Sequence, residues 1–409
     1  MRIGIVSQWY PPEPAFIPGE LADELAGRGH RVRVLTAHPN YPGGRIYPGY
    51  RQRWNTRETH GAVAVRRVPV HPSHDTSAVG RVASYLSFAA TSSLAATRWL
   101  AGMDAVYVYH PPPTAVAATL LPRLSGRAPV LLHVQDIWPE SVTASEMAPT
   151  GRRGRLLERA LTAAMRRTYR AADGIAVLSP SMAQLVIERG ADPARVRTVL
   201  NWTDERLFRP VPVDPAARAA LGHRGRCTVM FAGNMGPFQR VETAVRAAAA
   251  LPDTVDLVLV GSGTEEEPAR RLAAELGAEN VRFLGRRAPE EMAALYAAAD
   301  FQLVTLRDLP ALRGTVPSKV QAALACGRPV VVSAPGDVVG LVDAARVGLT
   351  CPPEDWRALV ERFAEAARMP AAERAEAGAR ARRLYQERMS RRVGVDAIED
   401  MLTKLPRRR

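Results

Sequence analysis

The stretch CTVMFAGNMGPFQRVETAVRAAAA, residues 227–250, decides the fold. Its first six residues, Cys227–Ala232, are apolar or β-branched and read as a buried strand. The loop Gly233-Asn234-Met235-Gly236 follows, and then a helical pattern carried by Val241, Val245 and Ala248. A strand that passes through glycines into a helix is the repeating unit of a parallel sheet covered by helices. Glycines at such a junction let backbone N–H groups approach an anion, and the helix N-terminus favours its negative charge. The alternative is a tight turn that needs positive φ.

The same alternation extends in both directions. Downstream, Val255–Val260, Val281–Leu284, Phe301–Leu306 and Val330–Ser333 read as strands. Upstream, Arg2–Ser7, Arg31–Thr36, Val63–Val70, Ala105–Tyr109, Val130–Val134, Ile175–Leu178 and Val196–Leu200 do the same. Glu20–Arg28 reads as a helix, with Leu21 and Leu25 one turn apart and Gly29 as its stop. A chain of 409 residues holds two or three domains at about 150 residues each. Pro210 and Pro212 mark Phe208–Asp214 as a linker. The expected architecture is therefore α/β, with Rossmann-like lobes at residues 1–205 and 215–385. Residues 386–409 hold a last helix, about Met389–Leu405, and a basic tail; this helix is a candidate to return to the first lobe.

The formal net charge is +14. Residues 1–204 carry 24 Lys+Arg against 15 Asp+Glu, so the excess is concentrated in the first half and in the tail around Lys404 and Arg407–Arg409. An acidic or generally disordered chain is excluded, and an anionic partner is suggested: nucleic acid, a membrane surface or a phosphorylated small molecule. Only Lys319 and Lys404 are lysines; the other cations are arginines, as a genomic codon bias would produce. Cys227, Cys326 and Cys351 have neither metal-ligand nor redox-motif spacing, which fits a reducing, cytoplasmic setting. The N-terminus, MRIGIVSQWYPPEP, reads as a strand and a proline loop rather than a signal peptide. The apolar run nearest to a span, Ala83–Thr97, is too short and too polar to cross a bilayer.

Ligands of open α/β sheets bind outside the carboxyl ends of the strands. In the second lobe, Gly261-Ser262-Gly263 follows a strand; it is not a dinucleotide fingerprint, and taken alone it reads as structural. Val316-Pro317-Ser318-Lys319 opens a helix. A lysine there opposes the helix dipole unless an anion lies between them. The alternative is an ordinary surface lysine.

In the first lobe, Pro11–Glu20, His38–Gly44 and His110–Pro113 follow strands. Gln135-Asp136-Ile137-Trp138-Pro139-Glu140-Ser141 follows another. A carboxylate binds sugar hydroxyls and an aromatic face packs on a sugar ring; equally, Trp138 and Pro139 would wedge the loop and Asp136 would cap a helix. The helix Gly154–Arg170 spreads Arg155, Arg159, Arg166, Arg167 and Arg170 opposite an apolar face. It reads as an ordinary solvated surface, with peripheral contact to anionic lipid as the minority alternative. No metal-ligand pattern, hydrolase elbow or Walker lysine appears. No interleaved aromatic and basic pattern supports nucleic-acid binding.

Taken in order, PPEP…GE, RGH-x-V-x-VLT, PNYPGG, QDIWPES, LSP, GNMG-x-x-Q, LVGSG, FLG, PSK and GRPVVV resemble glycosyltransferase family 4, nearest its O-antigen and capsule branch, over about residues 1–385. The resemblance implies the retaining GT-B fold, two lobes facing across a cleft, with a nucleotide-diphosphate sugar on the second lobe and an acceptor on the first. It implies catalytic roles for Asp136 and Lys319. It implies donor contacts from Gly19, Gly233, Asn234, Met235, Gly236, Gln239, Arg240, Gly261, Ser262, Gly263, Arg313, Ser318 and Lys319. Acceptor contacts would come from Phe16, Pro18, Asn40, Tyr41, His110, Trp138 and Glu140, with no metal or other cofactor. Asn234 and Gln239 stand where many members have Arg and Lys, and Gly314 and Ala322 stand where many have a pair of glutamates. Arg240, Arg313 or Lys319 would supply the missing charge, with Asp308 as a partial acidic substitute. Retention implies same-face attack in which the leaving phosphate assists deprotonation. The acceptor is expected to be a lipid-linked sugar or a soluble antibiotic-type metabolite. A nucleotide-sugar 2-epimerase of the same fold and a two-lobed solute-binding protein are the competing readings.

Overall fold

The computed structural model describes residues 1–54, 56–73, 78–110, 112–120, 128–140 and 151–406. The chain forms two compact units. One comprises Met1–Val199 and the chain from Val395 onward; the other is Leu200–Gly394.

The first unit is built on an eight-stranded sheet: β1 Arg2–Val6, β2 Arg31–Ala37, β3 Thr56–His60, β4 Val63–Val68, β5 Ala105–His110, β6 Val130–Val134, β7 Gly174–Val177 and β8 Val196–Thr198. The order is β3-β4-β2-β1-β5-β6-β7-β8. Every pairing is parallel except β3 with β4. Strand order reverses between β1 and β5, which opens a crevice at their carboxyl ends. Helices α1 (Phe16–Gly27), α2 (Ala78–Trp99), α3 (Gly151–Ala171) and α4 (Pro180–Glu188) cover the sheet. Ser179 caps α4 by accepting from the Met182 amide at 3.3 Å.

The second unit has a wholly parallel six-stranded sheet: β9 Cys227–Ala232, β10 Val255–Val260, β11 Val281–Gly285, β12 Phe301–Thr305, β13 Val330–Ser333 and β14 Gly348–Cys351. Its order is β11-β10-β9-β12-β13-β14, so the reversal lies between β9 and β12. Both faces are covered, and successive residues serve opposite cores. Met230, Val258 and Val304 enter one cluster, while Val229, Phe231, Leu257, Leu259 and Leu303 enter the other. The helices are α5 (Pro215–Leu221), α6 (Val241–Ala249), α7 (Glu266–Glu275), α8 (Met292–Ala298), α9 (Ser318–Ala325), α10 (Asp337–Ala345), α11 (Trp356–Arg368) and α12 (Ala371–Arg388). Asp214 caps α5 through the Ala216 amide at 2.8 Å, Pro215 opens it, and Gly222 closes it at φ 69°.

Helix α13 (Arg391–Lys404) crosses back to the first unit. There Glu399 accepts from Arg28 and lies 2.7 Å from His30 Nε2, and Arg28 also pairs with Asp396. The expected linker at Phe208–Asp214 lies inside the second unit; the two crossings fall at Val199/Leu200 and Gly394/Val395. Near both, Trp202 is buried, and a Cβ on Gly394 would stand 2.5 Å from its ring. The tail arginines Arg407–Arg409 and the residue Ser141 lie outside the described residues.

Two strands go beyond the sequence expectation. β3, TRETH, is a polar antiparallel edge strand, and β14 is a four-residue edge strand. Neither carries the continuous apolar run that marks a strand buried on both faces.

Candidate active site

In the second unit the glycine loop after β9 lies at the strand-order reversal, and the loop after β10 presses against it. The Met235 amide donates to the Ser262 carbonyl at 3.0 Å, and the Glu265 amide donates to the Met235 carbonyl at 2.9 Å. A Cβ on Gly261 would stand 2.0 Å from the Gly233 carbonyl oxygen, and one on Gly263 would stand 2.3 Å from that of Met235. These two glycines are therefore required by loop-on-loop packing. Ser262 faces outward, and its hydroxyl accepts from Arg286 Nε at 2.5 Å.

Lys319 sits in the first turn of α9, which has no side-chain cap. Its ammonium lies 4.7 Å from the centroid of the Phe231 ring, on β9. A Cβ on Gly233 would fall 3.1 Å from Nζ, so the bare Cα of that glycine makes room for the ammonium. Burial pushes the Lys319 pKa down to about 8. Among the described residues no carboxylate pairs with it. A desolvated cation, uncapped helix amides and a glycine loop converge on one place at the carboxyl end of β9, an arrangement that suits a bound anion.

The other candidate cations have carboxylate neighbours. Arg240, in the left-handed region at φ 44°, pairs with Glu242 at 2.9 Å and Glu354 at 2.7 Å. Glu354 also accepts from the Asp308 amide at 2.8 Å. Arg313 is exposed, with its guanidinium 4.0 Å from Asp308, and its carbonyl accepts from the Asp337 amide at 2.8 Å. Gln239 turns inward, accepting from the Gly236 amide at 3.1 Å, and a Cβ on Gly236 would stand 2.8 Å from Asn234 Nδ2. Ser318 is exposed at the mouth of the helix. Of Arg240, Arg313 and Lys319, only Lys319 lacks a carboxylate partner among the described residues.

In the first unit the loops after β1, β2, β5 and β6 meet at the carboxyl end of the sheet. Glu13, which the sequence reading passed over, is the buried knot between the first two. It accepts from the Asn40 and Tyr41 amides, both at 2.8 Å, and from the Tyr10 amide at 3.0 Å. Burial is the largest influence on its carboxyl, whose pKa is raised despite these bonds. Asn40 is itself buried, with Nδ2 donating to the His38 carbonyl, so it holds the loop in shape. Pro18 and Gly19 are also buried; a Cβ on Gly19 would stand 2.6 Å from Pro11, so packing explains that glycine. Phe16, half-buried, starts α1, whose first turn has neither a cap nor an acidic residue.

Asp136 follows β6 and its side chain reaches solvent, while the surrounding protein mass pushes its pKa up to about 6. Its charge acts on the tyrosines Tyr85 and Tyr109, and burial raises the pKa of both. Trp138 is half-buried, edge-on to Tyr85 at 6.2 Å, and Trp9 is tilted against Tyr41 at 5.1 Å. Arg189 donates to the Trp138 carbonyl at 2.6 Å and to Glu140. Glu140 therefore holds the loop through an ion pair. His110 is fully buried, its pKa pushed down to about 4, and neither ring nitrogen has a partner among the described residues. What faces outward is Asp136 among aromatic side chains, a surface suited to sugar hydroxyls and ring faces.

A family model described as a glycosyl transferase 4-like domain matches residues 17–202, and one described as glycosyl transferases group 1 matches residues 226–368. Escherichia coli WcaI, a putative colanic acid biosynthesis glycosyl transferase, is 29% identical over 82% of this chain and 83% of its own. A D-inositol 3-phosphate glycosyltransferase of Mycobacteroides abscessus is 37% identical over 42% of this chain and 40% of its own. Among solved structures, sucrose-phosphate synthase of Thermosynechococcus elongatus superposes with a TM-score of 0.76 at 20% identity, covering 99% of both chains. Anabaena HepE, solved with UDP and glucose, gives 0.68 at 19% identity over 99% of this chain and 100% of its own. With two GT-B-type α/β units and both family models matched in order, the chain belongs to the glycosyltransferases of family 4 and acts on nucleotide sugars.

Proposed function

We propose that the second unit holds the diphosphate of a nucleotide sugar against Lys319, the first-turn amides of α9 and the loop Gly233–Gly236. The observation that carries this is the desolvated ammonium, without a carboxylate partner among the described residues, beside an uncapped helix end and a bare glycine Cα. As the glycosidic bond breaks, charge grows on the leaving phosphate oxygens. A cation and fixed amide dipoles placed there stabilise it with no resident metal. Ser262 and Arg286 lie on the nucleoside side. Arg240 shapes the neighbouring loop through Glu354, and the backbone carbonyl of Arg313 holds the Asp337 amide.

The first unit receives the acceptor, with Asp136 accepting hydrogen bonds from its hydroxyls and Tyr85, Tyr109 and Trp138 packing on its ring. Transfer proceeds with retention, the leaving phosphate taking the proton of the attacking hydroxyl. The acceptor is a lipid-linked sugar of polysaccharide assembly. The E. coli relative is named for colanic acid biosynthesis, and the basic first unit suits an acceptor carried on an anionic diphosphate. Thermal denaturation with UDP, GDP and dTDP, then with their sugars, tests the donor assignment. UDP is the first candidate because of the HepE complex. A nucleotide that stabilises the wild type but not Lys319→Met supports the site. Equal stabilisation of both proteins sinks it.

A further inference from the structure

The outward faces of the first unit's helices have no part in the donor or acceptor assignments. The connections β4–β5, β5–β6, β6–β7 and β7–β8 all advance through the sheet in one direction, so right-handed crossovers place α2, α3 and α4 on one face. Their buried sides share a core: Phe88 and Ala96 of α2, Met165 and Tyr169 of α3, Met182 and Val186 of α4. Their outer sides therefore look away from the sheet together.

That outer layer is unusual in two respects. Helix α2 has 22 residues, and its only charged side chains are Arg81 and Arg98. Val79, Val82, Leu86 and Leu94 recur at three, four and eight residues and form an apolar stripe in water; Val79 is 77% exposed, Leu86 58% and Leu94 61%. Helix α3 carries seven arginines against the single Glu158. Arg152, Arg155, Arg159, Arg166 and Arg170 fall within an arc of about 60° at 100° per residue. Arg155, Arg159, Arg166, Arg167 and Arg170 have no carboxylate partner among the described residues. Leu156, 63% exposed, stands beside that stripe. The second unit exposes only two large apolar side chains among its described residues, Val213 and Leu276, far apart in sequence.

We propose that this α2–α3 layer docks on a bilayer surface bearing anionic lipid headgroups, with the α3 arginines at the phosphates and the α2 stripe and Leu156 among the upper acyl chains. An acidic soluble partner would need the arginines but not the bare valine and leucine stripe. A bilayer interface uses both. No helix among the described residues is long and apolar enough to cross a membrane, so the contact is peripheral. Tyr85, which lies against Trp138, is on α2 itself, so docking would hold the acceptor loops near the lipid.

The test uses the full chain and no substrate, so it is independent of the donor and acceptor assignments. Sedimentation is measured with phosphatidylcholine vesicles with and without phosphatidylglycerol. The wild type should bind only the anionic vesicles, more weakly as salt rises. The triple variant Arg155→Gln, Arg159→Gln, Arg166→Gln should lose about 100-fold in partitioning, from three charges at about 1 kcal/mol each. Val82→Ser with Leu86→Ser should weaken binding at low salt while leaving the circular dichroism unchanged, because these side chains are exposed. Absence of binding to anionic vesicles, or equal binding by the triple variant, overturns the proposal. A solution dimer dispersed by Leu86→Ser would also overturn it and assign the face to a second copy.

Discussion

Replacing Lys319 by Met should move stability and activity in opposite directions. The ammonium is held at a pKa of about 8 against an ordinary 10.5, and burial alone is the cause. At 1.36 kcal/mol per pH unit, keeping that charge in place costs the folded chain about 3 kcal/mol at pH 7. Partial solvent access trims this to about 1–3 kcal/mol. The cation–π contact with Phe231 offsets only about 0.5–1 kcal/mol of it. Methionine keeps the volume and removes the charge, so the ligand-free variant should unfold at a higher temperature. The sign with pH follows from linkage. The cost is full below about pH 8, where both folded and unfolded chains are protonated, and it fades as pH rises toward 10.5. The advantage of Lys319→Met should shrink over that window. Activity should fall, because a charged hydrogen bond to phosphate contributes about 1.5–3 kcal/mol, or roughly 10- to 100-fold in kcat/KM for the donor. The assays are thermal unfolding at several pH values and donor-dependent initial rates. A variant that is less stable than wild type, or that keeps wild-type donor kinetics, would refute the claim that an unpaired ammonium waits there for an anion.

Asp136, with its pKa pushed up to about 6, should be a carboxylate above that pH. Rates in wild type should therefore rise through about pH 6, and Asp136→Asn should flatten that limb; an unchanged limb removes Asp136 from the reaction. Gly263→Ala would drive a Cβ into the Met235 backbone, and a loss of about 2–4 kcal/mol in denaturant unfolding is expected. Tolerance of alanine there would mean the two loops are not locked together. Transfer should persist in excess chelator if Lys319 and the α9 terminus carry the phosphate charge; complete loss, restored by added metal, would contradict that mechanism.

The alternation of strands and helices was legible because strands such as Cys227–Ala232, Val255–Val260 and Val330–Ser333 are buried on both faces and so are written as unbroken apolar runs. The edge strands β3 and β14 escape because edges need no such run. In the site, Lys319 was legible because a lysine opposing a helix dipole is a local contradiction. The partners of Arg240 and Glu140 were not. Glu354 lies 114 residues after Arg240, and Arg189 lies 49 residues after Glu140. No pattern along the chain announces contacts at that range. Gly261 and Gly263, which taken alone read as structural, make room for atoms of the neighbouring loop.

The return of α13 sets an order of assembly. Arg28 and His30 emerge early from the ribosome, but Glu399, which binds both, lies 371 and 369 residues later. The unit that is translated first is thus the one completed last, while Leu200–Gly394, an uninterrupted segment, has all its strands before synthesis ends. A truncation that removes only the final helix would leave the second unit's sheet whole and deprive the first of the tie from Glu399 to Arg28 and His30.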